Sequence, residues 1–78
     1  MLNDRQINSI FKIAECGSIN QAASKLYISS SALIQQLNII EQQLGFKVFK
    51  RNTKGVELTE AGKYFVDETD KTFVYKAK

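Results

Sequence analysis

Ser31, Gln35, Asn38 and Gln42 recur at intervals of three or four residues, and at 100° per residue they fall within one narrow arc of a helix. All carry hydroxyl or carboxamide groups. A carboxamide offers a donor beside an acceptor, so Gln35 and Asn38, central in that arc, suit paired hydrogen bonds to a planar edge such as that of adenine. A serine hydroxyl can serve any base edge. Downstream, residues 42–56 hold Lys47, Lys50, Arg51 and Lys54 with no acidic residue, a net +4 suited to gripping phosphates. Ser29 is placed to cap the helix, while Ser30 and Ser31 are open to hydrogen bonding with a phosphate or base, or to solvent alone.

Other chemistries lack their parts. With no histidine in 78 residues there is no imidazole base for a serine or cysteine nucleophile, and the ordinary zinc ligand sets are missing. No paired catalytic groups and no phosphate-binding glycine loop are present, so neither enzymatic activity nor a cofactor is expected. The single Cys16 cannot close an intrachain disulfide and reads as a small residue near a helix end, in preference to a redox switch. A net charge of +3 with 44% hydrophobic residues describes one small basic soluble domain. Such a chain buries only about 60% of its unfolded surface, so a second subunit or a ligand would help it. The longest apolar runs are two or three residues, and no signal segment opens the chain, which predicts a cytoplasmic protein with no membrane partner.

The elements that must position these groups follow from periodicity. Ile7, Ile10, Phe11, Ile13 and Ala14 predict helix 1 from about Asn3 to Cys16, closed by Gly17. A short helix 2 runs through Ala22, Ala23 and Leu26, capped by Ser18 with Gln21 in a capping-box pattern, or by Asn20. Its alanine pair lets a neighbouring helix approach closely, which favours a tight helix-turn-helix. Tyr27 and Ile28 make the turn, with Tyr27 read as core. Helix 3 then runs from its Ser29 cap to Leu44, with Leu33, Leu37, Ile40 and Leu44 as its apolar stripe and Gly45 as its stop.

Lys47 to Lys50 and Val56 to Leu58 predict two short strands of a β-hairpin around residues 51–55. Thr59 caps a fourth helix with Ala61, Tyr64, Phe65 and Tyr75 on one side and Gly62, Val66 and Phe73 on another. Two apolar stripes suggest two partners, the domain's own core and the same helix of a second chain. Charge is segregated: residues 57–70 carry −4 and the last eight residues return +3, whereas helix 3 up to Ile40 has no acid. Its polar face and the basic hairpin together suit a polyanion, with the helix reading a major groove and the hairpin anchoring phosphates. Double-stranded DNA is the partner these parts predict.

The ordered set Phe11, Ala14-Glu15, Gly17-Ser18-Ile19, Ala22-Ala23, Leu26, Ser29, Ala32, Leu37, Ile40-Glu41, Leu44-Gly45, Val48-Phe49, Arg51 and Leu58-Thr59-x-x-Gly62 resembles the N-terminal winged helix-turn-helix of LysR-type transcriptional regulators over about residues 2–66. The resemblance implies a mainly α fold with a three-helix core, a two-stranded β-hairpin wing and a C-terminal linker helix. It places a DNA-binding domain at residues 1–58 and a linker and dimerisation helix at 59–78, with Gly62, Val66 and Phe73 at the dimer contact. It also implies a bacterial regulator binding promoter DNA as a homodimer or tetramer. Relatives continue into an effector-sensing domain that would begin beyond Lys78, so the chain reads as an excised fragment or a naturally minimal protein.

Departures from the family pattern bear on what is read. Ser30-Ser31 stand where Gln-Pro is typical, and Ile34 stands where a serine commonly faces DNA. Ile34 offers an apolar contact, such as to a thymine methyl, and Ile39 adds a second apolar group; lateral packing is the competing role for both. Arg51 and Lys54 fall to the wing, with Arg51 equally open to pairing with Glu41 or Glu57. The expected DNA-contacting set is therefore Ser29, Ser30, Ser31, Ile34, Gln35, Asn38, Arg51 and Lys54. The alternative is a winged-helix protein–protein interaction module that no longer reads DNA, which Ile34, Ile39 and the modest net charge permit; salt-dependent binding to duplex DNA separates the two.

Overall fold

The computed structural model describes residues 2–72. Within them the chain runs α1 (Asp4–Cys16), α2 (Ile19–Lys25), α3 (Ser30–Leu44), β1 (Phe49–Asn52), β2 (Gly55–Leu58) and α4 (Glu60–Thr72). Helix starts are set by side chains that satisfy free backbone amides. On α1, the Gln6 N–H donates to Asn3 Oδ1 at 2.8 Å and the Asn3 N–H to Gln6 Oε1 at 3.0 Å, a reciprocal capping box. Ser18 Oγ accepts from the Gln21 N–H at 3.2 Å, so Ser18 and not Asn20 opens α2. Ser29 caps α3 through the Ala32 N–H at 3.1 Å, and Thr59 caps α4 through the Gly62 N–H at 2.9 Å.

While α1 and α3 end at glycines in the left-handed region, α2 ends without one. The Ile28 N–H reaches the Ala23 carbonyl at 3.0 Å and the Tyr27 N–H reaches the Ser24 carbonyl at 3.1 Å, the paired bonds of a Schellman turn. Tyr27 takes the left-handed position, with φ 62°. Its side chain is 93% exposed, which overturns the expectation that it belongs to the core. The reversal at Tyr27 sends its ring outward, and the neighbouring Ile28 packs against the core instead.

The core joins Ile10 and Ile13 of α1, Ala22 and Ala23 of α2, and Leu33, Leu37 and Ile40 of α3 to Val48 and Phe49. In the antiparallel hairpin Phe49 faces Leu58, Lys50 faces Glu57, Arg51 faces Val56 and Asn52 faces Gly55. The result is mainly helical: a winged helix-turn-helix of three core helices, a two-stranded wing and a following helix. Among the described residues no helix is long and apolar enough to cross a membrane.

Lys47 and Val48 lie before the strand and are held by Glu41 of α3. Glu41 is only 7% exposed; its Oε2 accepts from the Val48 N–H at 2.8 Å and the Phe49 N–H at 3.2 Å, and Lys47 Nζ lies 3.7 Å from Oε1. The next anchor is Thr59, whose hydroxyl donates to the Lys47 carbonyl at 2.6 Å and whose N–H donates to the Val48 carbonyl at 2.9 Å. One turn on, α4 lies so close to the segment just before β1 that a Cβ at Gly62 would overlap the Val48 carbonyl.

Phe65 and Val66 also pack against the core, Phe65 meeting Phe46 edge-to-face with ring centroids 6.4 Å apart. Gly62 and Val66, expected at the dimer contact, also touch their own domain, Gly62 against Val48 and the half-buried Val66 on the core. Helical spacing identifies a stripe but not what covers it. The outward stripe of this segment is Ala61 and Tyr64, the latter 70% exposed. Phe73 and Tyr75 lie outside the described residues.

Glu41→Ala should lower the stability of the fold to urea by about 2–3 kcal/mol, because two backbone amides lose a charged acceptor. Glu41→Gln keeps one acceptor oxygen and should lose less. Equal losses in the two variants would show that the amides do not depend on that oxygen.

Candidate nucleic-acid interface

α3 buries Leu33, Leu37 and Ile40 and exposes Ser31, Gln35, Asn38 and Gln42. Among the described residues, neither the Gln35 nor the Asn38 side chain has a hydrogen-bond partner, so their amide groups face water with full capacity. The three serines at the head of the helix divide their roles. Ser29 is engaged as the cap. Ser30 is half-buried and donates to Asn20 Oδ1 at 2.5 Å, tying α2 to α3. Ser31 alone places an uncommitted hydroxyl on the open face. Ile34 is half-buried at one margin of that face, and Ile39, 52% exposed, borders the other.

The helix face and the wing meet along a cleft lined by Leu37, Asn38, Glu41, Phe49, Arg51 and Val56. Asn38 and Arg51 therefore share one depression. The register explains the fate of the wing cations. Lys50 stands opposite Glu57, with Nζ 3.9 Å from its carboxylate, and Lys47 lies by Glu41. Arg51 stands opposite Val56, so neither of its expected pairings, with Glu41 or with Glu57, is formed. Among the described residues Arg51 and Lys54 have no carboxylate within salt-bridge distance, and both are exposed.

The wing tip is shaped by its own polar groups. Asn52 Oδ1 accepts from the Lys54 N–H at 2.8 Å and Asn52 Nδ2 donates to Glu57 Oε2 at 3.2 Å, which fixes the turn that carries Lys54. Gly55, at φ 139°, lies where a Cβ would overlap the Gly17 carbonyl, and the adjacent Val56 N–H donates to that carbonyl at 3.2 Å. The wing is thereby fastened to the α1–α2 loop as well as to α3.

Asn20 and Glu41 shape this surface, and the exposed Tyr27 lies in the turn that leads into α3; none was singled out for it by sequence reasoning. Spacing carries no signal for the hydrogen bond of Asn20 or the backbone amides bound by Glu41. For Tyr27 a signal did exist, since α2 ends where no glycine or asparagine is available for the left-handed position. The assembled surface offers free carboxamides and a hydroxyl on a helix without acidic side chains in its first turn, flanked by two unpaired cations.

Residues 5–63 match the sequence profile of the LysR family of bacterial regulatory helix-turn-helix proteins. The chain belongs to that family. The LysR-family regulator TfdT of Cupriavidus pinatubonensis is 41% identical over 64 residues, covering 82% of this chain and 28% of TfdT. ClcR of Pseudomonas putida is likewise 41% identical over 64 residues, covering 82% of this chain and 22% of ClcR. This chain thus spans less than a third of the length of either regulator. Among solved LysR-family structures, the CbnR DNA-binding domain in complex with DNA superimposes with a TM-score of 0.85 at 28% identity, covering 97% of this chain and 87% of that one. The BenM DNA-binding domain on catB site 1 DNA gives 0.86 at 25% identity, covering 97% and 82%.

Ser29→Ala should cost about 1 kcal/mol of folding stability through loss of the α3 cap. Ser31→Ala should stay within about 0.5 kcal/mol of the parent, since its hydroxyl supports nothing in the domain. Urea unfolding of the pair checks both values.

Proposed function

We propose that this chain binds double-stranded DNA sequence-specifically at promoter operators, as the DNA-binding part of a bacterial LysR-type transcriptional regulator in the cytoplasm. α3 enters the major groove with Gln35 and Asn38 toward the base edges, and the wing lies on the flanking backbone or minor groove through Arg51 and Lys54. The observation that carries this reading is the open amide face of α3, with Asn38 and Arg51 sharing the cleft between helix and wing. A major groove admits an α-helix, and amides there can pair with adenine while nearby cations neutralise phosphate. The CbnR and BenM domains, each solved with DNA, support the reading.

Residues 1–58 form the reading head in this proposal, and 59–78 form the linker through which a second copy joins. Gly62, Val66 and Phe73 are the residues proposed for that contact, with the exposed Tyr64 beside Val66 in one surface groove of α4.

Selection of bound duplexes from a random library should yield a consensus, and its absence would overturn the proposal. On the selected site, Gln35→Ala or Asn38→Ala should cost about 1–3 kcal/mol of binding and relax the sequence preference at one position. Unchanged titrations across a panel of operator variants would remove both residues from the reading face. Lys54→Ala should lower the slope of log affinity against log salt by about 0.9, the contribution of one phosphate contact. An intact slope would mean that the wing tip does not touch phosphate.

A further inference from the structure

We propose that Tyr27 is a further DNA-contacting residue, its ring and phenol clamping the sugar–phosphate backbone beside the N-terminal end of α3; this rests on the DNA-binding reading above. Tyr27 occupies the left-handed position of the Schellman turn that ends α2, at φ 62°. Glycine adopts that conformation without penalty and asparagine with little, whereas a residue with a bulky side chain is strained there. With 93% of its surface exposed, the ring recovers almost none of that strain through packing. A strained, solvent-facing aromatic is a cost to the free protein, and such costs persist where the geometry serves a contact made elsewhere.

The surroundings say what that contact is. Tyr27 lies two residues before the Ser29 cap and four before the open Ser31, so the chain itself keeps it near the N-terminal end of α3. No acidic side chain occupies the first turn of α3. Lys25, in the last turn of α2, is exposed and has no carboxylate within salt-bridge distance among the described residues. An exposed phenol two residues along the chain from an exposed lysine suits an anionic strand: the hydroxyl would donate to a phosphate oxygen and the ring would lie against deoxyribose. Two hydrogen-bonded amides hold the backbone on which the ring is mounted, so little freedom is lost on contact. The clamp sits at the opposite end of the reading helix from the wing, giving the duplex an anchor on each side.

The test uses the 78-residue chain and a duplex that the unaltered protein recovers from a random-sequence library. Tyr27→Gly and Tyr27→Asn, both suited to the left-handed turn, should melt at higher temperature than the parent yet bind that duplex about tenfold more weakly, about 1.4 kcal/mol. Tyr27→Phe should fall between, separating the hydroxyl from the ring. Hydroxyl-radical footprints of the glycine and asparagine variants should lose protection at the end of the site nearest the start of α3. Unchanged affinity in both variants overturns the clamp and leaves the DNA-binding reading intact. Loss of stability together with affinity also overturns it, because Tyr27 would then be supporting the fold. If the unaltered chain recovers no duplex, the DNA-binding reading itself falls.

Discussion

One buried carboxylate sets where the wing stands relative to the reading helix. Glu41 projects from α3 and receives the backbone amides of Val48 and Phe49, at the point where the chain leaves the helices and enters the hairpin. The carbonyl of Val48 then receives the Thr59 amide, and its side chain is wholly buried. Val48 is therefore a junction, with its N–H committed to α3 and its C=O to the start of α4. An ionised acceptor makes shorter and stronger bonds to N–H groups than a neutral one, which suits a joint that must hold two elements at fixed distance. Because Asn38 and Arg51 reach one cleft from the two sides of this joint, their separation is set by it.

The charge of the wing divides along the same lines. Lys47 and Lys50 stand by Glu41 and Glu57, while Arg51 and Lys54, further out, stand by no acid among the described residues. The uniform basic segment of the sequence becomes a graded one, with its root compensated and its tip bare. Exposed ion pairs such as Lys50 with Glu57 contribute little to stability. Their effect is on where the positive potential is concentrated, and with a screening length of about 8 Å at physiological salt that location matters more than the net charge of the chain.

Much of this was legible in the residues alone. The helix boundaries, their caps and the burial pattern of α3 follow from 3.6-residue periodicity and from the local chemistry of Asn3, Ser29, Thr59, Gly17 and Gly45. The exposure of Gln35 and Asn38 followed for the same reason. What failed were relations between elements. Glu41 was weighed as a partner for Arg51 because a carboxylate suggests a cation, yet its principal partners are backbone amides, which leave no trace in a sequence. Gly62 and Val66 have a second relation that their helical stripe does not announce, since both also pack on their own domain. Tyr27 was placed inside because an aromatic is usually worth more there, and the need of α2 for a left-handed residue prevailed.

The two anchorages of the hairpin have a bearing on solubility. A ribbon of only two strands ordinarily leaves outward N–H groups along both borders, a template on which strands from other molecules can assemble. Here the Phe49 amide on one border is occupied by Glu41 and the Val56 amide on the other by the Gly17 carbonyl. One border is thus stopped at its base and the other near the turn, so a foreign strand finds no continuous ladder to extend. The same bonds that aim the ribbon also make it a poor seed for aggregation.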